Sequence, residues 1–225
     1  MTPSQKNQRG SIFVMILLAI VMFSALSYAV LQGSRVGESS LTREQSKLAA
    51  QELISMADSI GAAVNKLRLT GCNETQLNFD TPQTAGIFAN AGAPADGSCD
   101  IFKTTGGKVN YTSVNPDYLV NGSWGHYWFN SQFIVQDIGT ANVDLVLWVV
   151  GLKSAVCQEL NQMLLSQDPW PESVGTATQD FQGSFASSIA DGIGDDVGSI
   201  YAGKASGCMD NGSGAGTFYR VLIAR

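Results

Sequence analysis

The sequence carries little charge and a single histidine, and these shortages already restrict its function. Only 14% of the 225 residues are charged, against roughly 25% in an ordinary soluble domain. His126 alone does not supply the repeated imidazole ligands of a typical zinc enzyme. The chain also lacks a G-x-S-x-G elbow, an S-x-x-K motif and a glycine-rich phosphate loop after a strand pattern. We therefore expect no catalytic residues and no cofactor.

Basic charge is scarce beyond the first third of the chain. Residues 69–225 carry six basic and fifteen acidic side chains. A surface that binds nucleic acid is instead rich in Lys and Arg, which contact phosphates. We therefore expect no nucleic-acid partner.

The four cysteines contain no C-x-x-C pair, which argues against a zinc or redox motif. They are Cys72, Cys99, Cys157 and Cys208. An even set in an oxidising compartment indicates two disulfides, and sequence alone leaves all three pairings open.

One long stretch has no charge at all. No charged residue occurs from Gly10 to Ser34, and most residues in the run are large and apolar. About 20 apolar residues are what a helix needs to cross a bilayer, so we predict a transmembrane half of the first helix over residues 11–34. Lys6 and Arg9 precede the run, which places the short N-terminus in the cytoplasm and the rest outside.

An amphipathic pattern continues over residues 35–70 and predicts the second half of that helix. Its apolar stripe recurs mostly at three, four or seven residues, with Ala49, Ala57 and Ala63 filling it. Its larger members are Leu41, Leu48, Leu53, Met56, Ile60, Val64 and Leu67. Gly71 is the predicted stop.

Residues 71–225 form the predicted globular head. Its first part, 73–131, is rich in Asn, Thr, Gly and Pro and predicts loops. Strand patterns follow at 132–136, 143–150 and 217–224, the second apolar on both faces apart from Asp144 and hence central in a sheet. Helical spacing predicts a helix over 153–165, and a short one over 185–189.

The N-terminal part resembles the type IV pilins and the pseudopilins of type II secretion. The residues that carry the resemblance are a basic leader, 1–10, that ends in Gly10, then the uncharged run and the amphipathic helix before a cysteine-bearing head. The resemblance implies cleavage between Gly10 and Ser11, methylation of the new N-terminus, and assembly through Ile12, Phe13, Met15, Leu17 and Leu18.

A second likeness concerns the head. A cysteine early in a helix after the central strand, and another shortly before the last strand, resemble the C-terminal disulfide loop of type IVb pilins. That likeness implies the pairs Cys157–Cys208 and Cys72–Cys99. The expected fold is α+β, with the long N-terminal helix packed on a small antiparallel sheet and a disulfide-tied, loop-rich head.

Met15 departs from the family pattern. Most pilins have a glutamate at this fifth mature position, where it is thought to pair with a neighbour's N-terminal amine. An apolar residue removes both the contact and the cost of a carboxylate in lipid. The departure indicates a minor or atypical subunit.

The resemblance implies a structural subunit of a bacterial type IV pilus or a type II secretion filament. Its implied partners are copies of itself or other pilin-like subunits, a prepilin peptidase, an inner-membrane assembly platform and, before assembly, membrane lipid. Its implied location is the inner membrane with an extracytoplasmic head, then a surface or periplasmic filament. The alternative is a single-pass anchored binding or adhesion module that never polymerises.

Two further groups each have two interpretations. The aromatic cluster Trp124, His126, Tyr127, Trp128 and Phe129 is either an adhesive patch or, as we favour, part of the core. The acidic residues Asp191, Asp195 and Asp196 are calcium candidates by resemblance, because some pilins and pseudopilins bind calcium in this part of the head. They lack EF-hand spacing, so we favour a solvated acidic turn.

Overall fold

The computed structural model of the chain combines two helices with one five-stranded sheet. It describes residues 9–121, 125–169, 171–172, 174–175, 177–210 and 215–225, with side chains given within those ranges for 14–24 and from 43 onward, except 210. The elements are α1 (Arg9–Leu69), β1 (Trp128–Val135), β2 (Asp144–Lys153), α2 (Ser154–Leu164), β3 (Asp191–Ile193), β4 (Ser206–Asp210) and β5 (Ala215–Ile223). Single-turn 3₁₀ helices occur at Glu74–Gln76 and Pro116–Tyr118.

The described chain divides into two compact units between Gln45 and Ser46. In the first unit, the side chains of residues 14–24 are exposed. In the second, the part of α1 from Ser46 to Leu69 packs on the sheet.

The expected fold is wrong in its membrane-spanning half and in its sheet. Within the described part of the chain, no helix is both long enough and apolar enough to span a bilayer. The sheet is mixed, because β3 runs parallel to β1 while the other pairs are antiparallel. The α+β class is retained.

The strand β2 is central, as its sequence predicted. The strand order is β3-β1-β2-β5-β4, and residues 144–149 of β2 are buried throughout. One face of the sheet packs against the helices and the early loops, with Phe129, Leu147 and Phe218 in that core. The other face carries a smaller core that includes Val146, Trp148 and Tyr219.

The end of α1 follows the predicted stop signal. Gly71 has φ +107°, a conformation that suits glycine because it has no Cβ. The Cys72 N–H donates to the Leu67 carbonyl at 3.0 Å, which satisfies one of the free carbonyls at the helix end.

The predicted stripe of α1 is buried over most of the second unit. Leu53, Ile60, Val64 and Leu67 are at most 2% exposed, whereas Leu48 is 62% exposed. The stripe prediction is therefore wrong at Leu48, whereas Ala49, Ala57 and Ala63, which were predicted on the same stripe, are buried.

Other element predictions differ from the structure in informative ways. The helix predicted over 153–165 is α2, and the strand patterns at 132–136 and 217–224 lie mostly within β1 and β5. No helix forms over 185–189, so that prediction is wrong. The short strands β3 and β4 had no sequence signal.

Candidate assembly surface

The side chains from Val14 to Phe23 form an exposed apolar surface, which we call the apolar segment. Nine large apolar side chains in it are 49–73% exposed, and they are Val14, Met15, Ile16, Leu17, Leu18, Ile20, Val21, Met22 and Phe23. Successive helical residues are rotated by about 100°, so this surface surrounds the helix on all sides. A helix that is apolar all round is buried in a larger structure.

Exposing this apolar surface to water carries a large free-energy cost for the single chain. Burying one large aliphatic or aromatic side chain fully contributes about 1.5–3 kcal/mol. At the observed exposures, covering nine of them would contribute about 8–16 kcal/mol before any cost of association. That gross contribution is comparable with the roughly 4–15 kcal/mol that association itself costs.

The predicted processing and assembly residues fall partly on this surface. Gly10, Ser11, Ile12 and Phe13 lie in the first turns of α1, and their side chains lie outside the described residues. Met15, Leu17 and Leu18 belong to the apolar segment. The apolar segment itself contains no charged residue, so covering it leaves no charge to be paired.

The two disulfides join the residues that the resemblance implied. Cys72 is bonded to Cys99, with Cα atoms 5.8 Å apart, and this bond fixes the loop 73–98 to the end of α1. Cys157 is bonded to Cys208, with Cα atoms 5.4 Å apart, and ties α2 to the outer strand β4. Both pairings are confirmed.

The outer edge of β4 is closed by side chains. The Asn161 amide donates from Nδ2 to the Cys208 carbonyl at 2.8 Å and accepts the Cys208 N–H at 2.7 Å. The Tyr201 hydroxyl donates to the same carbonyl at 2.6 Å. Since these groups occupy positions that a further strand would use, β4 does not offer Cys208 for strand pairing.

Two buried carboxylates hold loops in place, and sequence reasoning missed their role. Asp144 accepts the N–H groups of Val135 and Arg225, each at 2.9 Å. Glu172 is 3% exposed and accepts the Gly194 N–H and the Ser199 hydroxyl. Burial raises the pKa of both carboxyls, although these hydrogen bonds oppose the rise. The one sequence signal was an aspartate within the apolar β2.

The calcium candidates are not gathered into a metal centre. The Asp191 carboxylate accepts the N–H groups of Gly175 and Gly192, while Asp195 and Asp196 are exposed. Among the residues with described positions, no three acidic, histidine or cysteine side chains form a group able to hold a metal ion.

Part of the predicted aromatic cluster lies in the core, and part lies at the edge of the core. Tyr127 and Phe129 are buried, whereas His126 and Trp128 are half-buried, with their rings 4.5 Å apart. Burial lowers the pKa of His126, and the nearby Asp180 opposes this. Trp124 lies outside the described residues. The core interpretation therefore holds for Tyr127 and Phe129.

No protein-family model, curated protein or solved structure matches this chain.

Proposed function

We propose that this chain is a structural subunit similar to the type IV pilins or the type II secretion pseudopilins. It is processed after Gly10 and assembles with copies of itself, or with other pilin-like subunits, through the apolar segment. The observation that carries the proposal is the nine-residue apolar surface, which surrounds its helix and is exposed in the single chain. Monomeric proteins rarely expose continuous apolar surface of this extent.

The disulfides support an extracytoplasmic location for the head. Both bonds are present and the described residues include no free cysteine. Disulfides form and persist in oxidising compartments such as the bacterial periplasm. The head therefore matures outside the cytoplasm, where a prepilin peptidase and an inner-membrane platform deliver subunits to a periplasmic or surface filament.

The departure at Met15 supports a minor or atypical subunit. Its side chain is 73% exposed and lies where most pilins have an assembly glutamate. Contacts through this position are therefore apolar packing rather than an ion pair. Such packing has no strong directional preference, which suits an atypical subunit whose contacts with its neighbours do not use that ion pair.

The test combines processing with assembly in cells that contain an active prepilin peptidase and assembly ATPase. Mass spectrometry is expected to show a chain that begins at methylated Ser11, and shearing is expected to release it only when the ATPase is present. Leu17→Lys places a charge in the apolar segment and should lower release at least tenfold. Val197→Lys, at a fully exposed head residue, is the matched control and should assemble normally.

Two results would overturn the proposal. The first is a chain that keeps Met1 in the presence of the peptidase. The second is a protein that stays with membranes under all conditions and whose release is the same for Leu17→Lys and Val197→Lys. The second result would favour the anchored binding module.

A further inference from the structure

The head carries a groove between α1 and α2. It has a volume of about 720 Å³, and residues of both helices line it, from Gln51 to Ala62 on α1 and at Met163 and Leu164 on α2. We propose that this groove receives the apolar segment of a second copy of this chain. The inference rests on the proposed function and deepens it, because it names the docking site on the neighbouring head.

The walls of the groove are apolar and adaptable. Ile54 on α1 and Leu164 on α2 are half-buried, and Met163 is 40% exposed. An unbranched methionine side chain fits irregular apolar partners. These walls therefore provide packing surface for branched side chains such as those of the apolar segment.

The floor of the groove permits close approach of another helix. Ser55, Ser59 and Ala62 lie on one face of α1, and their small side chains let helix backbones come near each other. The Ser59 hydroxyl donates to the Ser55 carbonyl at 2.7 Å. Covering Ser59 with an apolar helix therefore leaves this hydroxyl with its hydrogen bond.

The charge of the groove suits an uncharged occupant. Among the described lining residues, Asp58 alone is charged, and its carboxylate forms an ion pair with Arg220 at 2.9 Å. A basic peptide would have to compete with Arg220 for this carboxylate. An occupant without charge leaves the pair intact, and the apolar segment has none.

The length of the groove along α1 also agrees with the length of the apolar segment. Residues 51–62 of α1 extend over about 17 Å and the ten residues 14–23 over about 14 Å, at 1.5 Å per residue. The groove covers one side of the docked helix, in the helix-in-groove mode that amphipathic and apolar helices use. The apolar segments of further copies cover its remaining sides.

The direct test is a cross-link between two differently tagged full-length copies expressed together. One copy carries Ser59→Cys and the other Leu18→Cys, so oxidation joins them if the segment enters the groove. The control is Val197→Cys with Leu18→Cys, because Val197 is fully exposed and does not line the groove. We expect at least tenfold more cross-linked dimer with Ser59→Cys than with Val197→Cys.

An assembly assay separates failure of this inference from failure of the proposed function. Ser59→Lys should lower sheared filament release at least tenfold while Val197→Lys leaves it unchanged, with equal melting temperatures for both variants. If Leu17→Lys blocks assembly but Ser59→Lys assembles normally, the groove proposal is wrong and the proposed function stands. If wild-type protein is not released at all, both are wrong. Equal cross-linking at positions 59 and 197 also overturns the groove proposal.

Discussion

Gly216 lies in β5 directly against the Cys157–Cys208 disulfide, where a methyl group has no room. A Cβ at this position would lie 2.5 Å from Cys157 Sγ, 2.6 Å from Cys157 Cβ and 3.1 Å from Cys208 Sγ. Its φ lies outside the left-handed region, so an alanine would meet a steric cost alone. We predict that Gly216→Ala destabilises the head.

Two opposing contributions set the size of the loss in the free energy of unfolding. Adding a methyl group to a packed core costs about 1–3 kcal/mol, and the lower unfolded-state entropy of alanine returns about 0.4–1 kcal/mol. Opening the disulfide instead would cost about 4 kcal/mol for a loop of this size, whose cysteines are 51 residues apart. A small displacement of α2 costs less free energy than opening the disulfide does. We therefore expect a loss of about 1–2 kcal/mol with the disulfide intact.

The assay is guanidinium unfolding of the oxidised full chain, followed by tryptophan fluorescence, together with titration of free thiols. Gly61→Ala is the matched control, because its new Cβ would have Leu222 Cδ2 as its nearest neighbour at 3.9 Å. In a helix this change should stabilise by about 0.5–1 kcal/mol. In a Cys157→Ala/Cys208→Ala background the two sulfur contacts vanish, whereas the Cβ at position 157 remains, so the loss caused by Gly216→Ala should become smaller without disappearing.

Two outcomes would refute this reasoning. One is a Gly216→Ala protein as stable as wild type, which would mean that the disulfide does not press on β5. The other is an equal effect of Gly216→Ala with and without the cysteines, which would place the strain elsewhere.

Two further predictions concern buried polar groups in the head. Burial raises the pKa of Glu172 above its ordinary 4.5, so the folded state binds this proton more tightly than the unfolded state, and the free energy of unfolding should fall as pH rises above about 4.5. Glu172→Gln should reduce that fall in unfolding curves measured from pH 4 to 7, and the carboxyls of Asp144 and Asp180, whose pKa burial also raises, account for the remainder. An unchanged slope would contradict the assignment. Asn161→Leu leaves the buried Cys208 N–H without its acceptor and should cost about 2–3 kcal/mol in the same unfolding assay. The control Gln158→Leu, at an exposed position of α2, should stay within about 0.5 kcal/mol, and equal losses would show that Asn161 is not needed.

The parts of the fold that could be predicted are those with a local signal. Residues close together in the sequence are enough to predict three features, namely the strand β2, the helix α2 and the end of α1 at Gly71. The disulfide pairing came from a resemblance, since spacing alone left three alternatives. The apolar segment was visible as an uncharged run, but its exposure was not.

The remaining parts depend on contacts distant in sequence. The strand β3 is only Asp191–Ile193, and its parallel partner β1 lies more than fifty residues earlier, so no local pattern reveals it. The strand β4, Ser206–Asp210, has a glycine and few β-branched residues and is held by Asn161 from α2. The groove lies between α1 and α2, so its walls come from segments about a hundred residues apart.

Side-chain contacts occupy both edges of the sheet, and this favours association through the helices over association through a sheet edge. At one edge Asn161 and Tyr201 occupy the outward groups of Cys208, and at the other the Gly175 N–H donates to the carboxylate of Asp191 in β3. Extension of the sheet by another copy would have to displace these contacts, each of which satisfies a buried or half-buried polar group. Association through the apolar segment displaces no hydrogen bond of these side chains, because they are exposed and uncharged. Burying their apolar surface lowers the free energy directly. Contact through helices is therefore the less costly route for the assembly that we propose.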